Sequence, residues 1–462
     1  MNQLRSSIGA HLKRHRALLV PIAVAAMLRF GLMVAAYLLT GTQVMTQGDT
    51  ASYLAPGANL IFHGTFASVI GGLPEIDRTP GYPIFAMLSG MAFNHVLLTV
   101  VCQILISLIS LTLIWRIANR SFPNTNAGMI AAWFYAVEPV SILYTVRLMP
   151  ETLFVLLLLA MIDRLLSFHS TGRLSAICES GIALAAATYV RPASYYLVFA
   201  LAAELAVMAS RHRGYWWKAP AVLLATVLPL QALWQARNWI ETGYDGYSSI
   251  VEKNLYFFQS AEVTAELQHN SLGDEQKKIG YPDEAAYLAV HPEQQHWSPA
   301  ERLRFMRIQS LQIIAQHRGL YFGTHLRGVA VVAFTPCATE LLQLLRLYPK
   351  DNEMPRRILN QGIFKSMGLI VSTHPAIAAF MALWEAFLLT LYGLAIRGIL
   401  NPNKDRIAIS ILGGIALYFL LISGGAQAVG RYRLPVIPGL CILAAGGLAS
   451  LQNKTRDRFD PA

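Results

Sequence analysis

One carboxylate stands out for its position. Asp49 lies about ten residues beyond an apolar run, Ala17 to Leu39, where a side chain meets water, lipid and any cavity between them. A carboxylate there is a candidate general base, provided burial and neighbours tune its pKa. The same stretch carries the aromatic Tyr53 and two further acids, Glu75 and Asp77. Either acid has the chemistry to orient a second reactant or to pair with Arg78. Arginine suits phosphate, because its planar fork grips two oxygens and keeps its charge. Arg78, Arg191 and Arg431 lead the candidates for such a grip, followed by Arg147, Arg237, Lys253 and Arg433. Plainer readings stand beside these. Gly48-Asp49-Thr50 reads as a helix cap, and Arg78-Thr79-Pro80-Gly81-Tyr82-Pro83 as a turn that restarts a helix. The arginines read as headgroup contacts or as ion-pair partners of Glu138, Glu151 or Glu241. Structural and chemical roles are compatible at every one of these positions.

The elements that position these residues are written in the composition. The chain has 462 residues, of which 55% are hydrophobic and only 14% charged, with a mean hydropathy of +0.44. An ordinary soluble domain is about a quarter charged. Long apolar runs alternate with short basic clusters, which excludes a disordered chain, a coiled coil and a typical cytosolic enzyme, and indicates a polytopic helical membrane protein. The net charge of +11 reads as membrane orientation and contact with anionic headgroups, so no nucleic-acid partner is expected. Cys102, Cys178, Cys337 and Cys441 are far apart and without a CxxC pattern. They read as buried free thiols.

The basic N-terminal segment with Arg5, Lys13, Arg14 and Arg16 precedes the first apolar run, which reads as an uncleaved span with its N-terminus inside. Further spans are expected at 95–115, 126–144, 150–167, 174–190, 193–209 and 219–236. A long polar stretch, 237–325, then lies outside. Residues 326–345 contain Pro336 and Glu340 and read either as a span or as a re-entrant or interfacial hairpin. Three final spans are expected at 376–396, 407–423 and 434–450. Charge bias favours ten spans with both termini inside, with eleven as the alternative. Arg29 falls within the first span. An ionisable group there costs a few kcal/mol, so it either meets a buried acid or snorkels to the edge.

The first outer loop, 41–94, is amphipathic: Tyr53, Leu54, Asn59, Leu60 and Ile61 suit a short interfacial helix. Its sequence of features is an acid after the first span, an aromatic, an amphipathic segment, a His63-Gly64 break and Arg-Thr-Pro-Gly-Tyr-Pro. This order resembles the first outer loop of GT-C membrane glycosyltransferases, which include the protein O-mannosyltransferases, the lipid A aminoarabinose transferases and related bacterial family 39 proteins. Glu138-Pro139 to Arg147, Pro150-Glu151, Tyr189-Val190-Arg191-Pro192, Arg237-Asn238-Trp239 with Gly243, and Gly430-Arg431-Tyr432-Arg433-Leu434-Pro435 resemble further family fragments in the right order. The mannosyltransferases carry an Asp-Glu pair in the first loop. Here Thr50 follows Asp49, which is closer to the single-Asp bacterial pattern.

The resemblance implies an all-α GT-C fold of about 10–11 transmembrane helices. Residues 1–236 would form the N-terminal module, 237–325 an outer loop region and 326–462 a C-terminal transmembrane region. It also implies inverting transfer of a sugar from a polyprenyl-phosphate donor to a lipid, glycan or protein acceptor. Asp49 would be the base, with Glu75, Asp77 and Tyr53 orienting the acceptor. Arg78, Arg191, Arg431, Arg433, Arg237 and Lys253 would hold the phosphate. The expected location is a bacterial inner membrane, with the site facing outward. No metal motif stands out among His269, His291, His296, His317 and His325, so no cofactor is assigned; a divalent metal stays open, and metal independence is favoured. Tyr244, Tyr247, Tyr256, Phe257, Phe258 and Trp297 in the outer region suit sugar rings and isoprenoid chains, and also plain interfacial anchoring. Competing readings are an O-antigen ligase or polymerase, a transporter and a non-enzymatic scaffold. The large asymmetric outer loop and the absence of a visible repeat weigh against the transporter. The early position of the acid-bearing loop weighs against the ligase.

Overall fold

The computed structural model describes residues 2–46, 48–211, 217–347 and 371–459, with side chains placed from Ala17 and Arg16 up to Gln452 outside the intervening gaps. Arg213 lies outside the described residues. No side-chain placement is described for Arg5, Lys13, Arg14, Arg211, Lys454, Arg456 and Arg458. The described elements are helical throughout, apart from one isolated antiparallel bridge between Ala67 and Pro74. That follows from the apolar runs, because a helix satisfies every backbone group within its own segment.

Among the described residues, six helices are long and apolar enough to cross a membrane: Arg16–Thr40, Val96–Ser121, Glu151–Thr171, Pro192–Ala209, Lys218–Thr242 and Pro375–Ile399. Three shorter apolar helices, Leu174–Val190, Arg406–Ile422 and Ile437–Gln452, stand at the other expected positions. At 1.5 Å per residue, a 17-residue helix reaches about 26 Å, just short of a typical hydrocarbon core of about 30 Å. The expected span at 126–144 is not straight. It is two helices, Ala127–Val137 and Pro139–Val146, bent by 53° at Glu138.

The bend explains Arg29. Pro139 cannot donate into the helix before it, so the last carbonyls of Ala127–Val137 lose partners. The fully buried Arg29 side chain supplies donors to them, 3.3 Å to the Tyr135 carbonyl and 3.1 Å to that of Ala136, and a third to Ser107 Oγ at 2.9 Å. A cation at a helix C-terminus also matches the helix dipole. On the far side of the break, the Glu138 carboxylate caps the next helix, accepting from Val140 N at 3.2 Å and Ser141 N at 2.6 Å. Arg29 thus neither snorkels nor forms a direct ion pair; it repairs a broken span.

The apolar stretch 326–345 is also broken. A helix Arg318–Phe334 ends before Pro336, and a short helix Ala338–Leu344 follows. The buried Arg433 guanidinium gathers the freed carbonyls of Val332 and Ala333, both at 2.8 Å. Elsewhere small residues let helices touch. Pro375–Ile399 crosses Ile437–Phe459 so closely that a Cβ at Gly398 would sit 1.9 Å from the Leu443 carbonyl oxygen, and one at Gly447 2.0 Å from that of Leu394. All four cysteines are free, with Cys337 and Cys441 buried. The polar stretch after Thr242 forms a second, smaller apolar core around Tyr244, Tyr256, Phe257, Tyr287, Leu303 and Met306, and Ile76 from the first loop joins it.

Candidate functional site

Asp49 precedes the amphipathic helix Thr50–His63, in the cap position, but its side chain makes no capping bond. It points instead to Arg431, whose Nη2 donates to Asp49 Oδ2 at 2.5 Å, while Arg78 Nη2 lies 3.9 Å from Oδ1. The carboxylate is 38% exposed and lines a cavity of about 1190 Å³. Tyr53, Glu75, Asp77, Arg78, Arg191, Lys253 and Arg431 line the same cavity. Candidates spread over nearly 400 residues of chain therefore converge on one space.

The local reasons are visible. Arg78 is held by Ser52 Oγ at 3.0 Å and Tyr53 Oη at 3.1 Å, with its guanidinium 4.5 Å above the Tyr53 ring. Helical spacing sets Ser52 and Tyr53 one turn in from Asp49, so the helix presents carboxylate and Arg78 to the same side. Gly81 lets the Arg-Thr-Pro-Gly turn abut the Tyr189-Val190-Arg191 turn; a Cβ there would lie 2.6 Å from the Tyr189 carbonyl oxygen. Gly81→Ala is therefore expected to part the two turns that carry Arg78 and Arg191 and to destabilise the fold by about 1–3 kcal/mol, read as a lowered thermal midpoint. Arg191 and Arg431 flank one aromatic ring, 5.8 and 5.4 Å from the Tyr432 centroid.

Glu151 was not among the candidates for the chemistry. It begins the helix Glu151–Thr171, is buried, lines the cavity and pairs with Arg191 at 3.0 Å. Its second oxygen, Oε2, has no hydrogen-bond partner, and neither does Arg431 Nε. Buried polar atoms are nearly always satisfied, so two orphans on residues that line one cavity point to a place where a polar ligand fits. The only sequence signal was the Pro150-Glu151 pair at the start of an apolar run.

Other candidates are engaged differently. Glu75 does not pair with the Arg78 side chain. It accepts from the backbone of Asp77 at 2.7 Å and of Arg78 at 3.2 Å, and from the Ser68 hydroxyl. Asp77 accepts from Ser249 Oγ and from Lys253 Nζ at 2.5 Å, so Lys253 meets a carboxylate first. Arg237 is not among the lining residues. It donates to the carbonyls of Glu75 at 2.6 Å and Phe66 at 3.1 Å and pairs with Glu241, pinning the first loop to the end of Lys218–Thr242. Arg433, occupied with the carbonyls at the 335–337 break, is also absent from the lining. Arg147 joins Glu340 at 3.1 Å, with Tyr144 Oη 2.6 Å from the same carboxylate oxygen, and so ties the short helix Ala338–Leu344 to the loop before Glu151. Among the described residues, no group of three or more His, Cys, Asp or Glu side chains is arranged to hold a metal ion.

Burial pushes the Asp49 carboxyl up, but Arg431, with Arg78 and Arg191, outweighs it and holds Asp49 below its ordinary value. Burial likewise opposes the charge on Arg431, yet Glu151, Tyr432 and Asp49 raise its pKa above that of ordinary arginine. Because the Asp49 pKa is depressed, the stability its pairing contributes is present above the unfolded-state value near 3.9 and is lost as pH falls through the lower folded value. The carboxylate form persists across the same range. The acid limb of kcat/KM due to Asp49 is thus expected below about pH 4, and a pH–rate profile checks it.

Residues 77–234, roughly a third of the chain, match the family model described as dolichyl-phosphate-mannose-protein mannosyltransferase. Among solved structures, the chain is similar to the archaeal oligosaccharyltransferase AglB from Archaeoglobus fulgidus in complex with an inhibitory peptide and a dolichol-phosphate. The identity is 12% and the TM-score 0.50, over 96% of this chain and 52% of that one. It is similar too to the Archaeoglobus fulgidus oligosaccharyltransferase tethered to an acceptor peptide, at 13% identity and a TM-score of 0.51, over 95% and 49% of the two chains. The chain spans about half the length of these structures. No curated protein matches. The chain thus shares its fold with these oligosaccharyltransferases, and its segment 77–234 is similar to the mannosyltransferase family.

Proposed function

We propose that this protein transfers a sugar from a polyprenyl-phosphate donor to a hydroxyl acceptor on the outer face of a bacterial cytoplasmic membrane. The observation that carries the reading is Asp49 set among Arg78, Arg191 and Arg431 in one large cavity. The acceptor oxygen attacks the anomeric carbon, the bond from that carbon to the phosphate oxygen breaks, and the configuration inverts. The acceptor proton passes to Asp49 Oδ1, the oxygen with the longer and weaker contact. The bond's electron pair leaves with the polyprenyl phosphate. Arg431, through its orphan Nε, and Arg191 stabilise that growing charge, which is electrostatic stabilisation in a partly water-excluded site. Glu151 holds Arg191 in place and offers Oε2 to a sugar hydroxyl.

The lipid tail would lie along the apolar wall formed by Tyr196, Phe419, Ile422 and Val429, of which Tyr196, Ile422 and Val429 are exposed. The dolichol-phosphate in the AglB complex supports a lipid-phosphate ligand for this fold. Binding of the leaving lipid tests the reading. Polyprenyl phosphate is expected to raise the thermal midpoint of the purified protein, and a nucleoside diphosphate is expected to leave it unchanged. Stabilisation by the nucleotide alone would replace the lipid donor with a sugar nucleotide.

A further inference from the structure

The cavity is larger than one ligand needs. Single small-molecule sites run from about 300 to 1,000 Å³, and this one is about 1190 Å³. Its walls can be followed away from Asp49. Arg78 neighbours Asp77, Asp77 pairs with Lys253, and one turn beyond Lys253 stand Phe257 and Phe258. Both rings lie on a π-helical turn, Leu255–Ser260. Such a turn shifts side chains out of α-helical register and is frequent at functional sites. Here it brings both phenylalanines to Tyr281, each with a centroid separation of 5.5 Å, at 56° and 77°. Next to Tyr281 the wall continues with Asp283 and Glu284, and Arg302 donates to Glu284 at 2.6 Å.

We infer that this far end of the cavity, under the outer helices, is a glycan-binding subsite that seats the acceptor. A sugar ring has one apolar C–H face and a rim of hydroxyls. Tyr281, 36% exposed and steadied by two rings behind it, offers an aromatic face to the first. Glu284, with 63% of its side chain exposed, and the half-committed Asp283, whose Oδ1 caps Ala286 N at 2.9 Å, accept from the second. Arg302 donates to ring or hydroxyl oxygens from a side chain only 12% exposed. A peptide docking by strand addition would need an unpaired strand edge, and the described residues around Tyr281 form no strand. The inference rests on the transferase reading for its role as acceptor site. The ligand class follows from the subsite itself.

The test is saturation-transfer NMR on the full chain in detergent. The probes are maltotriose, mannotriose and chitotriose, and a serine- and threonine-containing hexapeptide. The expected result is binding of at least one trisaccharide to the wild type and equally to Asp49→Asn. Binding should weaken about fivefold or more in Tyr281→Ala and, separately, in Glu284→Gln. Both substitutions are at exposed side chains, so folding is retained. No trisaccharide binding, binding indifferent to both substitutions, or hexapeptide binding with the same dependence in their place would each overturn the inference. Release of polyprenyl phosphate, measured on the same preparations, tests the transferase reading separately. Trisaccharide binding without any such release leaves a glycan site and removes the acceptor role.

Discussion

If Asp49 is the base proposed above, replacing it with asparagine is expected to lower the rate of sugar transfer by about 10²–10⁴-fold, the usual loss when a general base is removed. The expectation rests on three observations. The side chain is in the cap position yet does not cap, so the helix Thr50–His63 does not depend on it. It is partly exposed to the cavity, so asparagine fits without a void or a buried orphan. It is surrounded by three cations that keep it ionised, the state a base needs. The folded state is therefore expected to survive, as judged by elution profile and thermal midpoint, while turnover falls. Asp49→Glu separates two roles. It keeps the charge beside Arg431 but moves the oxygens outward, so it should retain arginine placement and lose most of the rate.

Replacing Arg431 with glutamine is expected, on the same proposal, to lower transfer by about 10²–10³-fold, the range seen when a donor to developing charge is removed. Arg431 pairs with Asp49, feels the charge of the buried Glu151, and carries a buried Nε without a protein partner. Lysine keeps the charge but not the planar fork, so Arg431→Lys should fall between wild type and glutamine. The same substitution has a second signature. Arg431 is the main group depressing the Asp49 pKa against burial. Its loss lets that pKa rise, and the acid limb of kcat/KM moves to higher pH. The Asp49→Asn, Arg431→Gln double variant should be little worse than the worse single one, because the two groups touch and act as a unit.

Much of this was legible in the sequence, for reasons tied to particular residues. Apolar run lengths marked the spans, and the positive-inside rule marked seven basic residues on the disfavoured side, Arg78, Arg147, Arg191, Arg237, Lys253, Arg431 and Arg433, without separating those that line the cavity. Their convergence on Asp49 needed the fold. Arg433 shows what single-residue reading misses. It sits two positions from Arg431 in the 3₁₀ turn Gly430–Arg433, where three residues make a turn, so the two side chains leave about 120° apart. One faces the cavity and the other caps a broken helix. Asp77 and Lys253 are 176 positions apart, and no local pattern predicts that pair. Arg29 depended on a bend at Glu138-Pro139, which the span count treated as continuous. Glu151 was named as an ion-pair partner; its orphan oxygen became visible only with the cavity around it.

The most direct measurement is release of free polyprenyl phosphate from a panel of polyprenyl-phosphate sugars by the purified protein, with membrane extract as acceptor. The expected result is acceptor-dependent release with at least one donor by the wild type, and release lowered by about 10²-fold or more in folded Asp49→Asn. Equal release by the two proteins would remove Asp49 from the reaction. Transfer from a sugar nucleotide with no lipid phosphate released would contradict the lipid-donor reading itself.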